Sequence, residues 1–403
     1  MKILFLNDFI PPRNNFGPGK RDFDLAKEFV KRGNEVFFIT SCQNRKFAGE
    51  EIVDGIKIFN IYSKYDYRLK FYVSVYNPFV LRKAEKILKK IKPDVVHADI
   101  VQFHLSYAIL KKVKKYAKGV FFTARDHTLF SSGKFLQKER ECGEVNYKVS
   151  WLNDFKKAGV RFNPLRSFFI KRYLKYVDKI FTVSTELEKA LNQNGISNTS
   201  VVYNGLLIEG VPTPDFSHPK TKKIFILGRV NESKGVYALL DSSLIILREV
   251  PAAEIIIAGV KNDEKEKILK YAERAGVEES KIKIYEYLKG EELDSVYKTA
   301  SLVVSPSLYS DPFPGVNLEA ALYGKPVITT CFGGAKEFII DGQTGYVANP
   351  FNPEELAKKI IDILKDSEKA ERFGKANFER LKNNFSTEKQ AEILLDWYKK
   401  YAN

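Results

Sequence analysis

The chain has 403 residues, 44% of them hydrophobic and 13% aromatic, with a formal net charge of +16. That length exceeds a single core and predicts about two or three domains of ~150 residues, while the apolar content argues against disorder. No run of about 18 apolar residues occurs, which excludes a spanning helix; the scattered Cys42, Cys142 and Cys331 show neither metal-ligand spacing nor a disulfide framework, so a reducing compartment is expected.

The N-terminal run Met1–Asp8 reads as a first strand, Lys2–Leu6, too short for a signal peptide. A glycine loop at Phe16–Gly19 leads into a helix predicted over Asp22–Arg32 from the apolar positions Phe23, Ala26, Phe29 and Val30. Gly33 ends it and strand Glu35–Thr40 follows, making a βαβ unit. Further strands are expected at Ile56–Ile61, Val95–Ala98, Val120–Thr123 and Lys179–Val183, with helices near Phe79–Lys90, Leu105–Tyr116 and Leu165–Tyr176. Pro212, Pro214 and Pro219 interrupt the pattern over Leu206–Lys220 and mark a domain boundary. Strands resume at Lys223–Leu227, Glu254–Ala258, Lys281–Tyr285, Leu302–Ser305 and Pro326–Thr329, again with intervening helices, in doubly wound alternation. Thr387–Tyr401 closes the chain as a helix with Ile393, Leu394 and Trp397 apolar.

Charge divides unevenly. Met1–Gly205 carries 38 Lys/Arg against 20 Asp/Glu, or +18, and the remainder 28 against 30, or −2. A basic half attracts anionic partners such as lipid headgroups or nucleic acid. Two of its segments interleave aromatics with cations: Tyr62–Asn77 and Asn163–Tyr176. Each reads as a membrane-interface or acceptor-gripping element, or as an amphipathic helix with a solvated basic face. The same mixture suits single-stranded nucleic acid, but no nucleic-acid module accompanies it and none is expected to bind.

Two stretches carry the chemistry. Gly228-Arg229-Val230-Asn231-Glu232-Ser233-Lys234-Gly235 places two cations and glycines on the turn after an apolar strand, which suits a diphosphate. Asp311-Pro312-Phe313-Pro314-Gly315-Val316-Asn317-Leu318-Glu319 sets two carboxylates eight residues apart across a turn that opens a helix. Carboxylates accept from sugar and ribose hydroxyls, and a helix start offers amides to phosphate. Each alone also reads as a solvated turn or a helix-dipole carboxylate.

Taken together, these stretches resemble the retaining glycosyltransferases of family four. Supporting segments are Gly17-Pro18-Gly19 (the N-terminal glycine loop, here split by a proline), Val202-Tyr203-Asn204-Gly205, and Gly333-Gly334…Glu337…Asp341-Gly342…Thr344-Gly345. The resemblance implies an α/β GT-B architecture: two facing Rossmann-like domains, with the C-terminal helix crossing back to the N-terminal one. The expected division is 1–205 plus 387–403 for the acceptor and 206–386 for the nucleotide sugar.

It further implies that Arg229 and Lys234 neutralise the diphosphate, that Asp311 contacts the donor sugar, and that Glu319 grips the ribose. Phe313, Gly315, Val316, Asn317 and Leu318 lend backbone amides, with Pro314 removing one donor. Gly17 and Gly19 give close approach to phosphate or sugar. Asp311 stands where the family usually has glutamate, which bears on sugar identity. Arg125 occupies the family's histidine position, followed by Asp126 and with His127 displaced by two; all three are expected to line the site. Tyr285 and Tyr287 fall where the base binds, and strand alternation sends one of them to the core. No cofactor or metal is implied beyond a UDP- or GDP-sugar co-substrate. The partners implied are a nucleotide sugar and a glycan or lipid-linked acceptor; a cytoplasmic location is expected, and the basic N-terminal half by its charge adds an expected peripheral contact with anionic membrane. Other readings of the same sequence are an epimerase or phosphorylase on this architecture, or a non-catalytic relative recruited by the basic half.

Overall fold

The computed structural model describes residues 1–14, 17–133, 135, 140–217, 219 and 221–402. The chain separates into two compact units, Met1–Lys134 with Asn146–Leu207 and Ser386–Asn403, and Phe135–Val145 with Ile208–Phe385. The short segment Phe135–Val145, ascribed above to the N-terminal domain, therefore belongs to the second unit.

The first unit is built on an eight-stranded sheet. Its strands are β1 (Lys2–Leu6), β2 (Glu35–Cys42), β3 (Gly49–Val53), β4 (Ile56–Tyr62), β5 (Val95–Ala98), β6 (Gly119–Ala124), β7 (Lys179–Thr182) and β8 (Thr199–Val201). They lie in the order β3-β4-β2-β1-β5-β6-β7-β8, parallel except for the β3–β4 hairpin, whose turn is made by Asp54 and Gly55, both at positive φ. Asp-Gly supplies that conformation at low steric cost and is the local signal for this hairpin. The β1 strand sits between β2 and β5, so the connections diverge there, and the ends of β1 and β5 are where a doubly wound sheet binds ligands. Phe5, Phe29, Phe38, Phe121 and Phe181 fill one face of the sheet. Leu394, Leu395 and Tyr398 of the last helix, Thr387–Ala402, complete that core. His97 fixes the helix further, its ring bonded to the Tyr398 hydroxyl and, at 2.7 Å, to Thr123 Oγ1.

The second unit has six parallel strands: β9 (Lys222–Val230), β10 (Ala253–Val260), β11 (Ile282–Tyr285), β12 (Leu302–Ser305), β13 (Val327–Thr330) and β14 (Gly345–Ala348), in the order β11-β10-β9-β12-β13-β14. Ile224 and Ile226 of β9 and Leu302 and Val304 of β12 are buried against helices Val236–Glu249 and Pro353–Lys365. The latter helix starts on a sequence signal: Asn352 Oδ1 accepts from Glu355 N at 3.0 Å, with Pro353 in the first turn.

Three expectations are corrected. The helix expected at Leu105–Tyr116 shrinks to Ile109–Val113, because Asp8 at the end of β1 takes the amides of Phe103, His104 and Leu105 at 2.9–3.0 Å and Ser106 adopts φ 67°. The first helix begins at Gly17 rather than Asp22, so Gly17 and Gly19 are helical; Phe16 lies outside the described residues. Cys142 and Cys331 form a disulfide, with Cα atoms 5.8 Å apart, while Cys42 is a buried thiol. A separation of 189 residues hides that pairing from any reading of spacing.

Candidate active site

In the second unit the chain reverses direction across the sheet between β9 and its neighbours β10 and β12, so the loops after β9 and β12 converge at the strand C-termini. They touch at Gly235: at φ 77°, a Cβ there would lie 1.9 Å from the Pro306 carbonyl oxygen, so only glycine fits. Leu308 N donates to Ser233 O at 3.0 Å, fastening the second contact.

This closeness brings Lys234 to Asp311. The ammonium and Asp311 Oδ2 are 2.6 Å apart, and the Tyr309 hydroxyl donates to the same oxygen at 2.6 Å. Burial works against the Lys234 charge, but the Asp311 carboxylate and Tyr309 outweigh it and raise the lysine above its ordinary range. Tyr309 is raised as well, by burial first and then by Asp311, so its proton stays on. Asp311 is held from behind: Gly334 N donates to its carbonyl at 2.9 Å, and Gly333, at φ 68°, leaves no room for a Cβ against that oxygen. The expected diphosphate lysine is thus paired directly with the expected sugar carboxylate, and a buried tyrosine that sequence reasoning passed over donates to the same oxygen. Arg229 lies exposed at the end of β9.

Helix Gly315–Leu322 starts on Pro314, which caps nothing with its side chain. Asn317 and Leu318 are fully buried. Asn317 is bound to Ser305 Oγ at 2.7 Å and Thr329 Oγ1 at 3.1 Å, which seats the helix on β12 and β13. These side chains, and that of Phe313, which stacks on Phe385, are structural; only their backbone remains for a ligand. Gly315 and Val316 are half-buried in the first turn. One turn on, half-buried Glu319 accepts from the Tyr297 hydroxyl at 3.1 Å through Oε2. Tyr297 is itself buried and stacked on Tyr323 at 4.6 Å between ring centroids. Burial, then Glu319, pushes its phenol well above the usual range.

Tyr285 and Tyr287 are both exposed and neither enters the core as expected: side chains two residues apart share a strand face, β11 is an edge strand that ends at Tyr285, and Tyr287 follows in a loop. Asp341 and Thr344 close a turn, accepting from Val347 N at 2.8 Å and Ile340 N at 2.9 Å. A depression of about 700 Å³ beside the disulfide is lined by Glu141, Lys336, Asp341 and Glu355.

In the first unit, the trio after β6 separates. The Arg125 side chain is 8% exposed, with its guanidinium bonded to Asp22, Asp99 and Asn204, and Asn7 Nδ2 donates to Asp22 at 2.7 Å. Burial lowers and the two carboxylates raise the guanidinium, which stays charged; burial lifts Asp99 well above the carboxylate range. Arg125 therefore organises the ends of β1, β5 and β6 and does not reach out of them. Asp126 caps the turn at His127–Leu129, accepting from Thr128 N at 2.8 Å. His127 is buried and stacked on Tyr147. Gly19 gives its missing Cβ to the chain itself, since a methyl there would meet Phe9 O at 1.7 Å; Gly17 is unobstructed. Asp8, Asp22 and Asp99, unmarked by any motif above, form the acidic floor of this strand edge.

Among the described residues no cluster of His, Cys, Asp and Glu suits a metal, and no helix is long and apolar enough to cross a membrane. Residues 21–209 match the family described as Glycosyltransferase Family 4, and residues 214–380 match Glycosyl transferases group 1. The spore coat protein SA of Bacillus subtilis is 30% identical over 184 residues, 44% of this chain and 49% of that protein, so the match spans about half of that relative. Glycogen synthase of Mycobacterium tuberculosis is 23% identical over 99% of this chain and 94% of its own. Sucrose-phosphate synthase from Thermosynechococcus elongatus superposes with a TM-score of 0.74 at 17% identity, covering 99% of this chain and 98% of that one. Anabaena Alr3699/HepE in complex with UDP-glucose gives 0.69 at 18% identity, covering 99% and 100%. At those identities the structural likeness is one of fold, and the fold is that of the GT-B glycosyltransferases.

Proposed function

The chain belongs to the group 1 glycosyltransferases of family four, and we propose that it moves a sugar from a UDP- or GDP-sugar, with retention at the anomeric carbon, to a glycan or lipid-linked acceptor. The observation that carries this reading is the Lys234–Asp311–Tyr309 cluster beside the opening of helix Gly315–Leu322. An ammonium has three donors. Lys234 can keep its bond to Asp311 and direct the others at a diphosphate, while the carboxylate accepts from a sugar hydroxyl. Glu319, with Oε2 held by Tyr297, offers Oε1 to a ribose hydroxyl.

In this reading the bond from the anomeric carbon to the β-phosphate oxygen breaks first, and its electron pair stays with the departing phosphate. Arg229, Lys234 and the helix amides stabilise that charge, the role a divalent ion fills elsewhere. The acceptor oxygen then bonds to the anomeric carbon from the same face, and the leaving phosphate takes its proton. No protein nucleophile is needed. The first unit, with its charge excess and the Arg125-ordered strand edge, presents the acceptor.

Thermal stabilisation across a panel of nucleotide sugars, followed by product analysis with the best donor, tests the proposal. Stabilisation by one nucleoside diphosphate sugar that is lost in Lys234→Ala, with an α-linked product from an α-linked donor, is expected. An inverted product, or no stabilisation by any member of the panel, refutes it.

A further inference from the structure

Most of the large apolar side chains exposed among the described residues fall in two stretches of the first unit, 67–79 and 151–168. They form one surface. Tyr72 Oη donates to Phe162 O at 3.1 Å, and Asn163 Nδ2 to Phe71 O at 3.1 Å. The Phe162 ring sits edge-on between Trp151 and Phe155 at 5.3 and 5.2 Å, and the Arg161 guanidinium covers Tyr67 at 5.3 Å. Around this hub Trp151 is 59% exposed and Phe155 48%; Phe168, 62% exposed, lies on the next helix, Arg166–Leu174, whose Arg166 guanidinium is 5.0 Å from the Phe71 ring. Helix Trp151–Ala158 buries only Ala158. Chains that remain monomeric seldom leave so contiguous an apolar patch in water.

The charges select what covers it. Residues 64–79 and 151–175 contain ten Lys/Arg and two Asp/Glu. Of the two acids, Asp154 is already engaged by Ser132 N at 2.6 Å and Ser132 Oγ at 2.9 Å. A second copy of this chain would bring the same cations against themselves, so self-association is electrostatically opposed. A surface of phosphate headgroups over hydrocarbon matches both features: cations meet the phosphates, and Trp, Tyr and Phe occupy the interfacial depth they favour.

We propose that this aromatic and basic face is a docking surface for an anionic phospholipid bilayer, with Trp151, Phe155 and Phe168 as the inserting side chains. The docking does not depend on the transfer chemistry. The face adjoins the strand ends of its own unit. Lys70 lies 4.3 Å from the Phe103 ring, and Phe103 N donates to Asp8 at the end of β1 at 2.9 Å. Seated on a bilayer, the unit holds that edge close to headgroup level, where a lipid-linked acceptor carries its sugar.

The chain contains two tryptophans, Trp151 and Trp397, so Trp397→Phe leaves Trp151 as the sole reporter. Purified Trp397→Phe protein is mixed with phosphatidylcholine vesicles with and without phosphatidylglycerol. Expected are a blue shift of Trp151 emission, quenching by bromolipid, and co-sedimentation, all with anionic vesicles only and all weakened by salt. In the wild-type background, Trp151→Ser with Phe155→Ser and Phe168→Ser lowers vesicle affinity by about tenfold or more. Lys156→Glu with Lys171→Glu and Arg172→Glu does the same while leaving the tryptophan in place. Melting curves and calorimetric titration of the variants with UDP and GDP verify folding and keep this test separate from the donor reading. Unchanged emission and no sedimentation at low salt overturn the proposal, as does undiminished binding by the charge-reversed variant. A lipid-free dimer abolished by the serine variant, or tighter binding to a single-stranded oligonucleotide than to vesicles, overturns it in favour of those occupants.

Discussion

Replacing Asp311 and Lys234 singly and together tests whether their pair sets the geometry of the site. At 2.6 Å, with an effective dielectric constant of about 20, the Coulomb attraction is roughly 6 kcal/mol. Desolvation and the remaining exposure, 23% for the lysine side chain and 10% for the aspartate, reduce the net coupling to about 1–3 kcal/mol. Lys234→Ala and Asp311→Asn are each expected to destabilise the protein to urea by about that amount, the first leaving a carboxylate and the second an ammonium without its partner. The double variant loses less than the sum. The two singles diverge on ligand: Lys234→Ala weakens UDP or GDP binding by about ten- to a hundredfold, since it removes a cation and leaves a repelling carboxylate. Asp311→Asn leaves nucleotide affinity unchanged or higher and lowers sugar transfer. Urea melts of the four proteins give the coupling, and calorimetry gives the affinities. A coupling below ~0.5 kcal/mol, or equal loss of nucleotide binding in both singles, refutes the argument that Asp311 positions the ammonium and that the ammonium meets phosphate.

Tyr297→Phe removes the bond to Glu319 Oε2 but keeps the ring stack on Tyr323; calorimetry should show nucleotide affinity lower by about three- to tenfold, with a stability loss of about 1 kcal/mol. Arg125→Met leaves Asp22 and Asp99 facing each other without their cation, and denaturant melts at neutral pH should show a loss of about 3–5 kcal/mol. That deficit relative to wild type should narrow as pH falls and Asp99, whose carboxyl burial raises, takes up a proton. Burial lowers His97 from 6.5 to about 4, so below pH 6.5 the unfolded chain binds a proton that the folded chain refuses. Its contribution is whole above pH 6.5 and is lost on acidification toward pH 4, amounting to about 3 kcal/mol. Comparing the pH dependence of urea stability in wild type and His97→Gln isolates this effect; identical slopes would exclude it.

The strands β5 and β12 coincide with their sequence ranges, because short runs with three apolar residues in four have one way to be buried on both faces of a parallel sheet. The Gly228–Gly235 and Asp311–Glu319 stretches were legible for a similar reason: backbone approach and opposite charge require particular residue types at particular places. The helix expected at Leu105–Tyr116 failed because Asp8, about a hundred residues away in sequence, competes for the same amides. Arg125 looked like a group lining the site, and no local pattern announces the two aspartates that enclose it.

The order of apolar runs and breakers along the chain was enough to determine two doubly wound sheets and a last helix, since each element buries a stripe written in its own residues; that this helix belongs to the first unit was implied only by the family resemblance. Which side chains meet was decided only by tertiary structure: Lys234 with Asp311, Tyr297 with Glu319, and Cys142 with Cys331. Each contact forms between side chains carried on different loops or elements, and their separation depends on the packing of everything between them. The aromatic face of the first unit belongs to the same class. Its composition was visible in two segments, but its exposure and continuity exist only once Phe162 joins them.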